Sequence, residues 1–336
     1  MRVFVADKPS TLGRPLAGSD MSFSGLPADR GAVHSREERP GYLGFSPHIG
    51  SSGRAALSIH GAEYESVRRL ALKIAYDGRG FHGSARQPGL ATAEGEILHG
   101  LRRARVIRDP DSARFQIASR TDRGVSALGN VIAFDTSLGP PAAVRALNAK
   151  LSRTWAWAVL EVSSEFNPRR AQGRWYRYEL PVGHEVEKIR SALSLFLGEH
   201  DFRNFTRDRS HTILRIDEAS VIQERDRIAL DFRAPSFRWN LVRRLVAAAL
   251  RVEANAASRS DIVRALDGTS RSDFGLAPPE PLTLMDVFFD FEFQRVEDLT
   301  TRDRVSQLLR ERNRTLRFAE ALMAKFERPI FEDRNA

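Results

Sequence analysis

The order in which two hydrophobic periods alternate after residue 68 constrains this chain more than any other feature. Leu70, Leu72, Ile74 and Tyr76 fall at every second position, the period of a strand. Residues 92 to about 107 follow the helical period, with Thr92 as N-cap and Glu94 and Glu96 in the first turn. Phe115 and Ile117 mark a second strand, which ends at the Ser-Arg-Thr-Asp-Arg-Gly turn of 119–124. A third strand is expected over 130–135. A helix opened by Pro140 and Pro141 should run to about 151, and a fourth strand should cover 155–162. That order, β-α-β-β-α-β, is the ferredoxin-like one.

The second half repeats the theme. Tyr176, Tyr178 and Leu180 share one strand face, and a helix is expected over 185–197. Strands should follow at about 214–223 and 227–233, then a helix over 237–252. Val287, Phe289, Phe291 and Phe293 alternate as a last long strand. The expected fold class is α+β: two ferredoxin-like (RRM-like) halves with a joined antiparallel sheet and a central basic cleft, a place where sites are commonly built. Residues 1–66 are rich in Gly, Ser, Pro and Arg without sustained periodicity and read as a disordered N-terminal extension. The first half is assigned to 67–172 and the second to 173–295. A charged helix from about 300 to 326, within 296–336, closes the chain.

Charge narrows the partner. A net charge of +9 over 336 residues points to a polyanion, with nucleic acid first. The absence of cysteine excludes disulfides, cysteine-ligated zinc, iron–sulfur clusters and thiol catalysis. The eight histidines show no metal-ligand spacing. No apolar run approaches the roughly 20 residues needed to span a bilayer, so no membrane partner is expected. No signal-peptide pattern opens the chain, and the cytoplasm is the expected location.

Gly78-Arg79-Gly80-Phe81-His82-Gly83 fits G-x-G-x-x-G after a strand. A dinucleotide fold needs a helix directly after that motif, and here Gln87-Pro88-Gly89 intervene. Asp122 stands between Arg120 and Arg123, just before Gly124, and by local chemistry alone reads as a turn residue. Arg243 changes the balance. Val242, Leu245, Val246 and Ala249 form an apolar helical stripe that leaves Arg243 at its margin. A guanidinium there needs an anionic partner or a route to water, and an aspartate at a strand end in the same cleft is a candidate partner. Arg174-Trp175-Tyr176-Arg177-Tyr178 interleaves basic and aromatic side chains, which suits either a stacking surface for unpaired bases or the sheet core. Lys73 and Arg86 add basic surface, as do Arg102, Arg103, Arg105 and Arg108.

In series, these segments resemble the tRNA pseudouridine synthases of the TruA type. Arg120-Thr121-Asp122-Arg123-Gly124-Val125 is similar to that family's signature around its catalytic aspartate. Tyr76-Asp77-Gly78 with Phe81, Gly83, Arg86 and Gln87 resembles its opening strand and loop. Tyr176 matches its active-site tyrosine, 197–205 its LxGxHDFxxF segment, and Phe237 with Leu241-Val242-Arg243 its arginine-bearing helix. Ala277-Pro278-Pro279 and Leu282-Thr283-Leu284 resemble its closing segment. The form of the signature, continued by Ser126-Ala127-Leu128-Gly129-Asn130, looks archaeal or eukaryotic. The chain departs from the pattern at Ser84-Ala85, which replaces Trp-Gln, and at Pro281, which replaces glycine.

The resemblance implies isomerisation of uridine to pseudouridine in the anticodon stem-loop of tRNA, around positions 38–40. Asp122 would be the nucleophile, attacking either the ribose C1′ or the uracil ring. Arg243 would pair with it and Tyr176 would stack on the uracil. Arg120 would fill the space left by the extruded base. Phe237, Arg86, Gln87 and Lys73 would be further substrate contacts. The resemblance also implies a homodimer and no cofactor or metal. Two alternatives stay open: a non-catalytic RNA-binding protein of the same fold, and a pseudouridine synthase acting on another RNA site.

Overall fold

A computed structural model describes residues 66–208 and 210–326, so the expected N-terminal extension lies outside the described residues. The first strands and helices are β1 (Arg68–Tyr76), α1 (Ala93–Arg103), β2 (Gln116–Ile117), β3 (Ser126–Thr136), α2 (Pro140–Asn148) and β4 (Thr154–Val162). Next come β5 (Gly173–Pro181), α3 (Val186–Leu193), β6 (Gly198–Asp201), β7 (Ile213–Ile216), β8 (Glu218–Gln223), β9 (Arg227–Ala234) and α4 (Leu241–Glu253). The described residues finish with α5 (Arg259–Leu266), β10 (Leu282–Phe288), β11 (Gln294–Arg295) and α6 (Leu299–Phe326). No helix among the described residues is long and apolar enough to cross a membrane.

The class is α+β, built on one large, mostly antiparallel sheet. Nine strands form it, in the order β11-β4-β1-β3-β10-β5-β9-β8, with β2 on β3. Strand β1 is hydrogen-bonded along both edges, to β3 and β4, and its side chains are buried on both faces. Leu70, Leu72 and Ile74 are fully buried, and so is Ala71 on the opposite face. Among the described residues the single parallel pairing is β10 with β3, through Thr283↔Ser126 and Leu284↔Ala127. Leu284 also pairs with Tyr176 on β5. One strand therefore separates the turn before β3, which carries Asp122, from the strand that carries Tyr176.

Local signals are readable in this frame. Thr92 caps α1, its hydroxyl accepting from Gly95 N at 3.2 Å. α1 stops at Arg103, short of the expected 107, because the chain reverses through Arg105 at φ 56°. The strand expected over 214–223 is two strands. β7 leaves the main sheet to pair with β6, and Asp217 re-anchors the chain by donating its N–H to Arg233 O at 2.8 Å ahead of β8.

The last long strand is also shorter than its alternation suggests. β10 ends at Phe288, and the rings of Phe289, Phe291 and Phe293 gather into one aromatic cluster with Phe166. Period 2 places these rings on one side in either conformation, so the pattern alone could not distinguish them. α4 begins at Leu241 rather than 237, because Asn240 takes the left-handed conformation (φ 65°) and redirects the chain. Phe237 and Trp239 consequently lie in the loop that precedes the helix.

Candidate active site

The turn that presents Asp122 is held from several sides. Ser84 is fully buried; its hydroxyl accepts from Thr121 N at 2.7 Å, and its own N–H donates to Thr121 O at 3.0 Å. Tyr76 Oη lies 2.9 Å from Thr121 Oγ1. Asn130 Nδ2 donates to Tyr76 Oη at 3.3 Å and to Ser119 O at 2.8 Å, while Asn130 Oδ1 accepts from Ser119 N at 3.2 Å. Burial pushes the Tyr76 phenol up, so it stays a neutral hydrogen-bonding group at ordinary pH.

Val125 N–H closes the turn on Asp122 O at 3.2 Å, with Gly124 at φ 85°, where a Cβ would be strained. Gly78 passes so close beneath that a Cβ there would sit 2.2 Å from Val125 O. The backbones of Ser119, Thr121 and Val125 are thus held by hydrogen bonds, and Asp122 lines the cleft.

Arg243, in the first turn of α4, meets that carboxylate. Arg243 Nη1 donates to Asp122 Oδ2 at 3.0 Å, and Nε donates to Ala277 O at 2.8 Å. Ala277 N–H donates back to Arg243 O at 3.2 Å, which pins the arginine backbone as well. The side chains are 11% and 25% exposed, so the pair is sheltered but open on the aspartate side. The partner that the helical stripe demanded of Arg243 is therefore Asp122 rather than water.

Tyr176 lies beside this pair. Its ring meets Phe237 edge-on, with centroids 5.1 Å apart at 82°. Burial pushes its phenol well up, which keeps it protonated and able to donate. Tyr178, on the same strand face, is buried as well but does not line the cleft, whereas Tyr176 does.

A cleft of about 1390 Å³ contains Asp122, Arg243, Tyr176, Phe237, Arg120 and Gln87 in its wall. That volume exceeds the roughly 300–1,000 Å³ of small-molecule pockets and leaves room for more than one nucleotide. Its lining includes eight arginines against three carboxylates, Asp122, Asp208 and Glu280. Arg120 and Arg123 flank the aspartate and are exposed. Among the described residues, no group of three or more His, Cys, Asp or Glu side chains is placed to hold a metal ion.

Two expected contacts lie elsewhere. Lys73 is 5% exposed; its ammonium pairs with Asp286, donates to Val287 O at 2.7 Å and sits 4.8 Å from the Phe293 ring centre. It belongs to the double-sided burial of β1, which an alternating pattern does not reveal. Arg86 is exposed beside the cleft without lining it, and its Nε pairs with Glu94 at 3.1 Å. Sequence reasoning missed Ser84 as the clamp on Thr121 and missed Trp239, an exposed indole in the cleft wall. The departure from the family pattern at Ser84 was the only signal for the first. The Arg238-Trp239 pairing was a signal for the second.

Comparison with known proteins gives the family. The chain is 40% identical over 232 residues to the tRNA pseudouridine synthase A of Pyrococcus furiosus, covering 67% of this chain and 86% of that protein. It is 41% identical over 227 residues to the namesake from Pyrococcus abyssi, covering 66% and 85%. For the Methanosarcina mazei protein the identity is 39% over 237 residues, covering 68% and 88%. A family profile described as tRNA pseudouridine synthase matches residues 192–290. The chain belongs to the tRNA pseudouridine synthase A family, a family of isomerases. Among solved structures, the archaeal box H/ACA sRNP Nop10-Cbf5 complex matches at a TM-score of 0.27 and 11% identity, over 54% of this chain and 43% of that one, too slight a likeness to bear on the site.

Proposed function

We propose that this chain isomerises uridine to pseudouridine in the anticodon stem-loop of tRNA, around positions 38–40, with Asp122 as nucleophile. The observation that carries the reading is the Asp122 carboxylate, held by Arg243 at 3.0 Å in a cleft that Tyr176 also lines. Non-catalytic RNA binding gives no reason to place a paired carboxylate in an arginine-rich wall.

In the proposed reaction Asp122 forms an ester, either with the ribose C1′ or with the uracil ring. The C1′–N1 bond breaks, the uracil turns, and C1′ bonds to its C5. The proton on C5 is lost, N1 gains one, and the aspartate is released. No atom is added or removed overall and no electrons are exchanged, so redox chemistry is not required. Arg243 orients the carboxylate. Tyr176, held protonated by burial, packs against the base and is able to donate at the sugar or ring. Arg120 enters the space left when the base leaves its stack, a step that costs a few kcal/mol.

The proposed architecture goes with this. Strand orders β4-β1-β3-β2 and β10-β5-β9-β8 repeat one pattern, which supports two ferredoxin-like halves, 67–172 and 173–295, around a basic cleft. The homodimer rests on the family resemblance. Mapping pseudouridine in tRNA after incubation with the purified chain tests the function. Pseudouridine at 38–40 is the expected result, and tRNA that stays unmodified overturns it.

A further inference from the structure

Trp239 is 54% exposed in the wall of the same cleft, although an indole of its size is ordinarily well buried. Its backbone is tightly held. Trp239 O accepts from Thr206 Oγ1 at 3.1 Å and from Arg207 N at 3.3 Å, and Trp239 N donates to Asp208 Oδ2 at 3.2 Å. The next residue, Asn240, is 9% exposed and adopts φ 65° without capping α4 through its side chain. A left-handed non-glycine residue is a local cost that surrounding structure must sustain, and such outliers gather at binding sites. The Arg207 guanidinium carbon lies 5.3 Å from the indole centre. The ring is therefore backed by a cation, fixed through its main chain and left open towards the cleft.

A flat π-face beside guanidinium groups is the arrangement that binds unpaired nucleobases, since stacking accepts any base and the cations meet its phosphates. The target uridine is accounted for by Asp122, Tyr176 and Phe237, and the cleft is larger than one nucleotide needs. We propose that Trp239, backed by Arg207, is a stacking platform for a second unpaired base of the substrate RNA, next to the uridine being modified. The proposal rests on the pseudouridine-synthase reading for its ligand, but its test does not depend on turnover.

Equilibrium binding of the full chain to a tRNA transcript and to a short single-stranded oligouridylate measures it. Wild type, Trp239→Phe and Trp239→Leu are compared, with tryptophan emission followed alongside. Leucine keeps apolar bulk and removes the π-face; it should weaken binding to both RNAs by about tenfold to a hundredfold. Phenylalanine should restore affinity to within a few-fold of wild type while removing the RNA-induced quench of emission. A Trp239→Leu chain that binds like wild type, or a Trp239→Phe chain as weak as Trp239→Leu, overturns the platform. Weakened binding by Trp239→Leu in a protein that makes no pseudouridine would leave the platform standing and refute the catalytic reading instead. Pseudouridine formation with unaltered Trp239→Leu binding would do the reverse.

Discussion

Arg243 Nη1 stands 3.0 Å from Asp122 Oδ2 across 121 positions of sequence, with a second bond from Arg243 Nε to Ala277 O. Asp122→Asn keeps the size of the side chain and removes the nucleophile. It should abolish pseudouridine formation while tRNA affinity stays within a few-fold, read by single-turnover assays and filter binding. Turnover by the asparagine variant would sink the assignment. Arg243→Ala should also destabilise the fold, by about 2 kcal/mol. That is below the range for fully buried pairs because Asp122 is a quarter exposed. Urea unfolding measures it.

Ser84 clamps Thr121 from both sides, and Thr121 immediately precedes Asp122. Ser84→Ala leaves the buried Thr121 N–H without its 2.7 Å acceptor, a loss of about 1–3 kcal/mol. The expected kinetic signature is a fall in kcat with little change in KM, since the clamp positions the aspartate and touches no RNA. Equal changes in both would mean that the loop binds substrate. Gly78→Ala should prevent folding to the native state, as its Cβ would meet Val125 O at 2.2 Å; circular dichroism and solubility would show it.

Lys73 and Arg120 should separate stability from RNA binding. Lys73→Ala leaves Asp286 without its buried partner and should lower the unfolding free energy by about 2–3 kcal/mol. The salt dependence of tRNA binding should not change. Arg120→Ala should do the opposite: melting unchanged, and the slope of log affinity against log salt reduced by about one. A reduced slope in the Lys73 variant would place that ammonium on the RNA after all.

Burial pushes the phenols of Tyr76, Tyr176 and Tyr178 above their ordinary 10.0. The unfolded chain then ionises first as pH rises. The associated stability is whole below about pH 10 and is lost above it. In a spectrophotometric titration these three phenolates should appear together with the loss of helical circular dichroism. Ionisation of all the tyrosines near pH 10 in a still-folded protein would contradict their burial.

Much of the fold was legible because it rests on local chemistry. Thr92 announced the start of α1, Pro140 and Pro141 that of α2, and the 2.0-residue period of 70–76 fixed β1. Less was legible where one pattern serves two structures. Phe289, Phe291 and Phe293 alternate like a strand but pack as a ring cluster, and 214–223 conceals a change of sheet at Asp217. Asn240 is left-handed and α4 starts after it, while the 206–208 loop hydrogen-bonds the Trp239 main chain, contacts that no helix propensity encodes.

Residue order alone carries the chemistry available to this protein: an aspartate set in arginines, an arginine on the margin of a buried helix, a tyrosine on a strand, and an order of segments that resembles one family. Which of them meet is set by how the chain packs. The parallel seam between β3 and β10 brings the Asp122 turn within one strand of Tyr176 and beneath Arg243. The same packing buries Lys73 on β1 and pairs its ammonium with Asp286. Periodicity reports which residues prefer to leave water. It does not report which distant strand will cover them, because that is set by sheet register and by contacts more than a hundred residues apart.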